Sequence, residues 1–140
     1  MNYLDTSVLT AYYCPERRSR RVQELLSRIE GPTISPLVEV EFCCAVARKT
    51  RAGSIEESSA LLIFSRLQAD LAESKYRIVS IRSAEYGLAR EWLTQLASPL
   101  RVLDALHMAA TLSNGLTLVT ADKALAQAAD HFGVKHRFLP

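Results

Sequence analysis

The chain predicts an α/β protein organised on a short parallel sheet. Short apolar runs alternate with longer stretches of helical periodicity, the signature of strand–helix–strand crossovers. Two of the short runs lead into a carboxylate flanked by hydroxyl or small residues, Leu4-Asp5-Thr6-Ser7 and Val119-Thr120-Ala121-Asp122. That is the arrangement expected where ligands gather beyond the carboxyl ends of parallel strands.

A length of 140 residues suits one domain, residues 1–140, with one core. No linker, repeat or low-complexity tract divides it. The apolar fraction of 49% is ordinary for a globular protein. No apolar run approaches the about 18 residues of a membrane span. No charged stretch followed by an apolar one opens the chain, so no signal peptide and a cytoplasmic location are expected. The cysteines are Cys14, Cys43 and Cys44. An odd number with an adjacent pair and no C-x-x-C argues against a disulfide framework or a zinc site. Cys43 and Cys44 are expected in or near the core.

The net charge of +2 is nearly neutral but unevenly spread. Arg17, Arg18, Arg20 and Arg21 form one basic group, and Arg48, Lys49 and Arg51 another. Each reads either as a solvated helix face or as phosphate contacts of a nucleic-acid binder.

In chain order, the first strand runs to Asp5, and a short helix from Ser7 to about Tyr13 meets Pro15. Val22, Leu25, Leu26 and Ile29 recur at helical spacing and predict an amphipathic helix from Arg17 to Ile29. Gly31-Pro32 punctuates the chain, and Thr33–Ser35 is the second strand. Pro36 opens a helix to about Arg51, with cations in its last turn and Gly53 at its end. Ser54-Ile55-Glu56-Glu57 reads as a capping box for a helix carrying Leu61, Leu62, Phe64, Leu67 and Leu71. Tyr76–Ile81 is the third strand, and Ser83 caps a helix to Leu96 in which Trp92 packs. Ser98-Pro99 breaks the chain before Leu100–Leu112, a helix apolar nearly all round and therefore central. Asn114-Gly115 stops it. Leu116–Val119 is the fourth strand, Lys123–Phe132 a helix, and Val134–Phe138 a last edge strand.

Four acids are candidates for a shared site. Asp5 and Asp122 follow strands, so a parallel sheet sets both on one rim. Glu41 has Leu37, Val38, Cys44 and Ala45 as helical neighbours, so it lies on a face that should bury and needs a partner cation. An ion pair with an arginine is the structural alternative. Glu39 is its rival, on a different face. Asp104 sits near the start of the most apolar helix, where it could instead serve the helix dipole. His107, one turn later, reads as a satisfied core histidine. Carboxylates brought to ~4 Å repel by roughly 4 kcal/mol per pair at an effective dielectric of about 20. A divalent cation cancels that repulsion, and oxygen-only ligands select magnesium or manganese. Such a site suits phosphodiester hydrolysis without a nucleophilic side chain.

Tyr3-Leu4-Asp5-Thr6-Ser7, Ser35-Pro36-Leu37-Val38-Glu39-Val40-Glu41, Leu103-Asp104-Ala105-Leu106-His107 and Val119-Thr120-Ala121-Asp122 resemble, in this order, the four acidic motifs of the PIN domain, VapC-type toxins in particular. The resemblance spans essentially the whole chain. It implies a three-layer α/β/α sandwich with a short, mostly parallel central sheet. It also implies a Mg2+- or Mn2+-dependent endoribonuclease toxin cutting tRNA or rRNA. Asp5, Glu41, Asp104 and Asp122 are its implied metal ligands and catalytic acids, supported by Thr6 and Thr120. The implied partners are a VapB-type antitoxin, the RNA and a second copy in a homodimer, with no membrane involved. Two alternatives stand beside it. One is a degenerate PIN-like module that binds RNA or a partner without cutting. The other is an aspartyl-phosphate transferase, against which Ser7 counts, because such sites commonly carry a second acid at that position.

Overall fold

Every strand of the sheet is parallel to its neighbours, and this decides where the site lies. The computed structural model describes residues 1–140. Its five strands are β1 (Asn2–Leu4), β2 (Thr33–Ile34), β3 (Arg77–Ile78), β4 (Thr117–Thr120) and β5 (His136–Phe138), in the spatial order β3-β2-β1-β4-β5. From β1 the chain steps to β2 and β3, then returns to β4 on the other side of β1. The order therefore reverses between β1 and β4, the switch point where open α/β sheets bind ligands. Register pairs Leu4 with Val119, so the two strands end level.

The helices are α1 (Thr6–Tyr13), α2 (Ser19–Leu26), α3 (Pro36–Arg51), α4 (Glu57–Ala72), α5 (Ser83–Thr94), α6 (Val102–Ser113) and α7 (Lys123–His131). α1 packs on α2 and α3, and α3 on α4; α5 packs on α6, and α7 on β4 and β5. Right-handed crossovers put α1–α4 on one face of the sheet and α5–α7 on the other. The result is the three-layer α/β/α sandwich, with a sheet that is wholly parallel. Trp92 of α5 meets Phe132 with ring centroids 5.5 Å apart, joining the ends of α5 and α7. No helix is long and apolar enough to cross a membrane.

The expected elements are all present, with shorter strands and four local corrections. Ser83, expected to cap α5, is its first residue, and Arg82 is the N-cap. Gly53 (φ +78°) ends α3 in a left-handed turn, with Gly53 N–H bonded to Thr50 O and Ser54 N–H to Lys49 O. Ser54 thus belongs to the end of α3, and the expected capping box does not form. Glu56 caps α4 without a side-chain bond. Next, the buried stripe of α3 is Val38, Phe42 and Val46, at four-residue spacing. Cys43 and Cys44 fall beside that stripe and are exposed, while Cys14 is buried. Finally, α4 is an outer helix that buries Ala60 and Leu67 and leaves Leu61 and Leu62 58% and 71% exposed. A polar cluster ties α4 down: Tyr13 Oη donates to Asp70 at 2.5 Å and lies 2.8 Å from Tyr76 Oη, and Lys75 Nζ donates to Asp70 at 2.9 Å.

Phe42 is fully buried where α3 meets α1, its ring 5.4 Å from that of Tyr13. Phe42→Ala is expected to cost ~3–5 kcal/mol in urea unfolding, by lost transfer energy plus the cavity left behind. Leu62→Ala, on the exposed face of α4, should change stability by less than about 0.5 kcal/mol.

Candidate active site

Asp5 leaves β1 and becomes the N-cap of α1. Its side chain accepts from Val8 N–H at 3.1 Å and from Ser7 Oγ at 2.6 Å, both on Oδ1. Its other oxygen accepts from Thr120 Oγ1 at 2.6 Å. Thr120 Oγ1 also accepts from Asp122 N–H at 2.9 Å, and Ser7 Oγ from Ala121 N–H at 2.8 Å. The ends of β1 and β4 are thus laced together through two hydroxyls. Asp122 is in turn the N-cap of α7, accepting from the amides of Ala124 and Leu125. Both acids are real caps, so the structural role expected for such positions is present alongside any chemical one.

Asp104 lies in the first turn of α6 and is buried. Glu41 reaches the same place from the middle of α3. Together with Asp5 and Asp122 they line one cavity of about 240 Å³, whose wall also includes Thr6, Ser7, Arg101 and His107. Four segments remote in sequence therefore supply one acidic pocket at the switch point. Glu39 does not line it. It points elsewhere on α3, which decides the rivalry for the pocket in favour of Glu41.

The partner demanded by Glu41 is a histidine rather than an arginine. His107 Nε2 lies 2.5 Å from Glu41 Oε1, and Thr6 Oγ1 donates to the same oxygen at 3.0 Å. His107 is itself held from behind, its Nδ1 lying 2.9 Å from Tyr3 Oη, which is 2.7 Å from Ser35 Oγ. A buried relay Ser35–Tyr3–His107 thus fixes the orientation of Glu41. His107 is the satisfied core histidine expected from the sequence, with its outer nitrogen at the pocket.

Arg101 was not singled out from the sequence. It precedes α6 as its N-cap, and its guanidinium donates from Nε to Asp104 Oδ2 at 2.7 Å and from Nη2 to Asp122 Oδ2 at 2.8 Å. The three-residue spacing to Asp104 was the available signal. Ser7 was likewise visible in its motif, but its bond to Asp5 needed the turn into α1. The acids share the cavity without converging as ligands: no three such side chains stand close enough to hold an ion. The expectation of a bare nest of carboxylates is corrected to this extent: Arg101 stands between two of the acids.

The environment divides the four acids. Burial raises the Asp5 carboxyl above its ordinary range, against the opposing pull of Ser7, Thr120 and His107. Burial also raises Asp104, although Arg101 pulls it down. For Asp122, the burial effect is outweighed by Arg101 and the amides of Leu125 and Ala124, so its carboxyl sits low. For Glu41 the bonds to His107 and Thr6 likewise overcome burial. Chemically, the pocket offers oxygen donors and no thiolate, and its imidazole is already engaged. That donor set fits a hard divalent cation.

A family comparison decides the broader identity. The PIN domain model matches residues 3–131. The chain belongs to the PIN domain family. No curated protein matches it. Among solved structures, FitAcB from Neisseria gonorrhoeae is similar at 22% identity and a TM-score of 0.74, covering 97% of this chain and 96% of that one. VapC20 of Mycobacterium tuberculosis, described as a sarcin-ricin loop cleaving toxin, shares 18% identity with a TM-score of 0.72, over 91% and 95%. VapBC2 from Rickettsia felis, solved bound to a promoter DNA fragment, shares 19% identity with a TM-score of 0.67, over the whole of both chains. The PIN fold is thus common ground with these proteins at low identity.

Two tests follow from the divided acids. A group raised by burial binds its proton more tightly in the folded protein. The ionisation of Asp5 and Asp104 therefore weakens the metal-free fold as pH rises from the unfolded carboxyl range through the folded value. Asp122 and Glu41 have the opposite sign: their stabilisation is present above the unfolded carboxyl value and lost as pH falls through the folded one. In chelator near neutral pH, Asp5→Asn should be at least as stable as the parent, with the difference shrinking on acidification toward about pH 4, the range of free carboxyls. Asp122→Ala should lose about 1 kcal/mol through the missing cap. Urea titrations across pH read both. Tyr3→Phe, which strips the relay behind His107, should cost ~1–3 kcal/mol in the same assay because buried polar partners are left unpaired.

Proposed function

We propose that this PIN domain is a metal-dependent endoribonuclease toxin of the VapC type, cutting structured RNA such as tRNA or rRNA. One observation carries the reading: Asp5, Glu41, Asp104 and Asp122, from four separate segments, line a single cavity at the β1/β4 rim of a PIN fold. In this reading those four acids hold Mg2+ or Mn2+, directly or through water. When bound, the cation supplies an activated water and neutralises charge that develops on the phosphodiester. The chain's own contribution is positional. Thr120 and Ser7 hold both oxygens of Asp5, Thr6 and His107 hold Glu41, and the caps of α1 and α7 fix the backbone beneath them. No cysteine lines the cavity, and the Ser7 hydroxyl is held between Asp5 and the Ala121 amide. The aspartyl-phosphate alternative is disfavoured because both Asp5 oxygens are engaged and the side chain is buried.

RNA contact is assigned to the first basic group. Arg17, Arg18 and Arg21 are exposed around a depression with Pro140, which follows β5 at its carboxyl end, on the rim that carries the acids. The second group is less available, since Lys49 pairs with Glu16 at 2.9 Å. A VapB-type antitoxin covering the acidic pocket, a homodimer and a cytoplasmic setting complete the reading. A structurally similar protein from Klebsiella pneumoniae was solved as a toxin–antitoxin complex, which supports the antitoxin part of this reading.

The purified protein is expected to cleave tRNA or rRNA with Mg2+ or Mn2+ and not in chelator, and Asp5→Asn to reduce cleavage to background while remaining folded. Thr120→Val, which removes a hydroxyl behind Asp5, should lower activity or metal affinity ~10- to 100-fold. Gel assays with end sequencing provide the check. Cleavage in chelator would sink the metal-dependent mechanism, and tight RNA binding without any cleavage would favour the non-catalytic module.

A further inference from the structure

Arg101 reaches into the acidic cavity from the N-cap of α6, and its two charge-assisted bonds go to different acids, Asp104 and Asp122. Its side chain is 61% exposed, whereas that of Asp104 is 13% exposed. The guanidinium therefore lines the pocket on its solvent side. Under the function proposed above, on which this inference rests, Asp104 and Asp122 are also the oxygens a divalent cation would need. Arg101 and the cation thus lay claim to the same atoms. An ion pair this open to water is weak, so the acids are released readily. Once free, the guanidinium stays tethered at the cavity mouth, and its planar fork of donors matches the oxygens of a phosphate.

We propose that Arg101 has two successive partners. In the metal-free protein it holds Asp104 and Asp122 and screens their mutual repulsion. When a divalent cation binds, it yields those oxygens and contacts the phosphate of the RNA to be cut. Arg101 is then a substrate-contacting residue as well as an internal competitor of the metal. This also accounts for acids that share a cavity without converging as ligands.

The test compares the parent with Arg101→Gln and Arg90→Gln. The second variant removes the same charge from an exposed position on α5 outside the cavity. Mn2+ affinity is read by electron paramagnetic resonance of the free ion, and cleavage of total tRNA is measured at saturating Mn2+. Arg101→Gln is expected to bind Mn2+ about three- to tenfold more tightly than the parent. It should nevertheless cut about tenfold or more slowly. Arg90→Gln should match the parent in both. Unchanged or weaker Mn2+ binding by Arg101→Gln overturns the competition, as does equal tightening in Arg90→Gln. A parental cleavage rate in Arg101→Gln overturns the phosphate contact. If the parent binds Mn2+ but cuts no RNA, the nuclease reading falls and the phosphate contact with it. If the parent cuts and only the Arg101 effects are missing, the inference alone falls.

Discussion

The hydrogen bond from Thr120 to Asp5, 2.6 Å long, is the contact on which the site depends. It exists because β1 and β4 run parallel and end level, and because the strand order reverses between them. A residue at the end of one strand can then touch a residue at the end of the other across 115 positions of sequence. Were either strand to slip by one residue, every side chain would change face, and the acids of β1 and β4 would lose their common rim. The two bonds through Ser7 and Thr120 resist such a slip at the point where it would matter.

Around that pair the protein handles negative charge in two different ways. Asp5 and Asp104 are set in burial that disfavours their ionised forms, while Arg101 and two amides favour that of Asp122, and bonds from His107 and Thr6 that of Glu41. The cavity is thereby tolerable to the folded chain. Arg101 and His107 each serve this balance from α6, one at the solvent mouth and one deep against Tyr3. A single helix thus supplies an acid and two of the groups that temper the acids around it. The nearly complete burial of α6 from Asp104 to Thr111 holds these side chains in place.

The relatives show how little of a PIN domain must be kept for the fold to persist. Identities of 18–22% accompany nearly full coverage of both chains. What can vary is the apolar filling, since hydrophobic residues of similar volume substitute for one another at modest cost.

The amino-acid sequence alone determined the fold class and the order of the elements, and it named four acids that the fold sets around one cavity. Those features are local: periodicity, turn residues, and a carboxylate just past an apolar run. It misplaced Cys43 and Cys44 because several helical faces of α3 are nearly equally apolar, and only packing against neighbouring elements, α1 foremost, chose the stripe Val38–Phe42–Val46. It likewise read a capping box at Ser54, where Gly53 and the end of α3 had the prior claim on that residue. Choosing Glu41 over Glu39 and assigning it a histidine partner were also left to tertiary structure, as was the placement of Arg101 between two acids. Each of these is a pairing between segments far apart in the chain, and local pattern carries no record of which distant side chain will arrive.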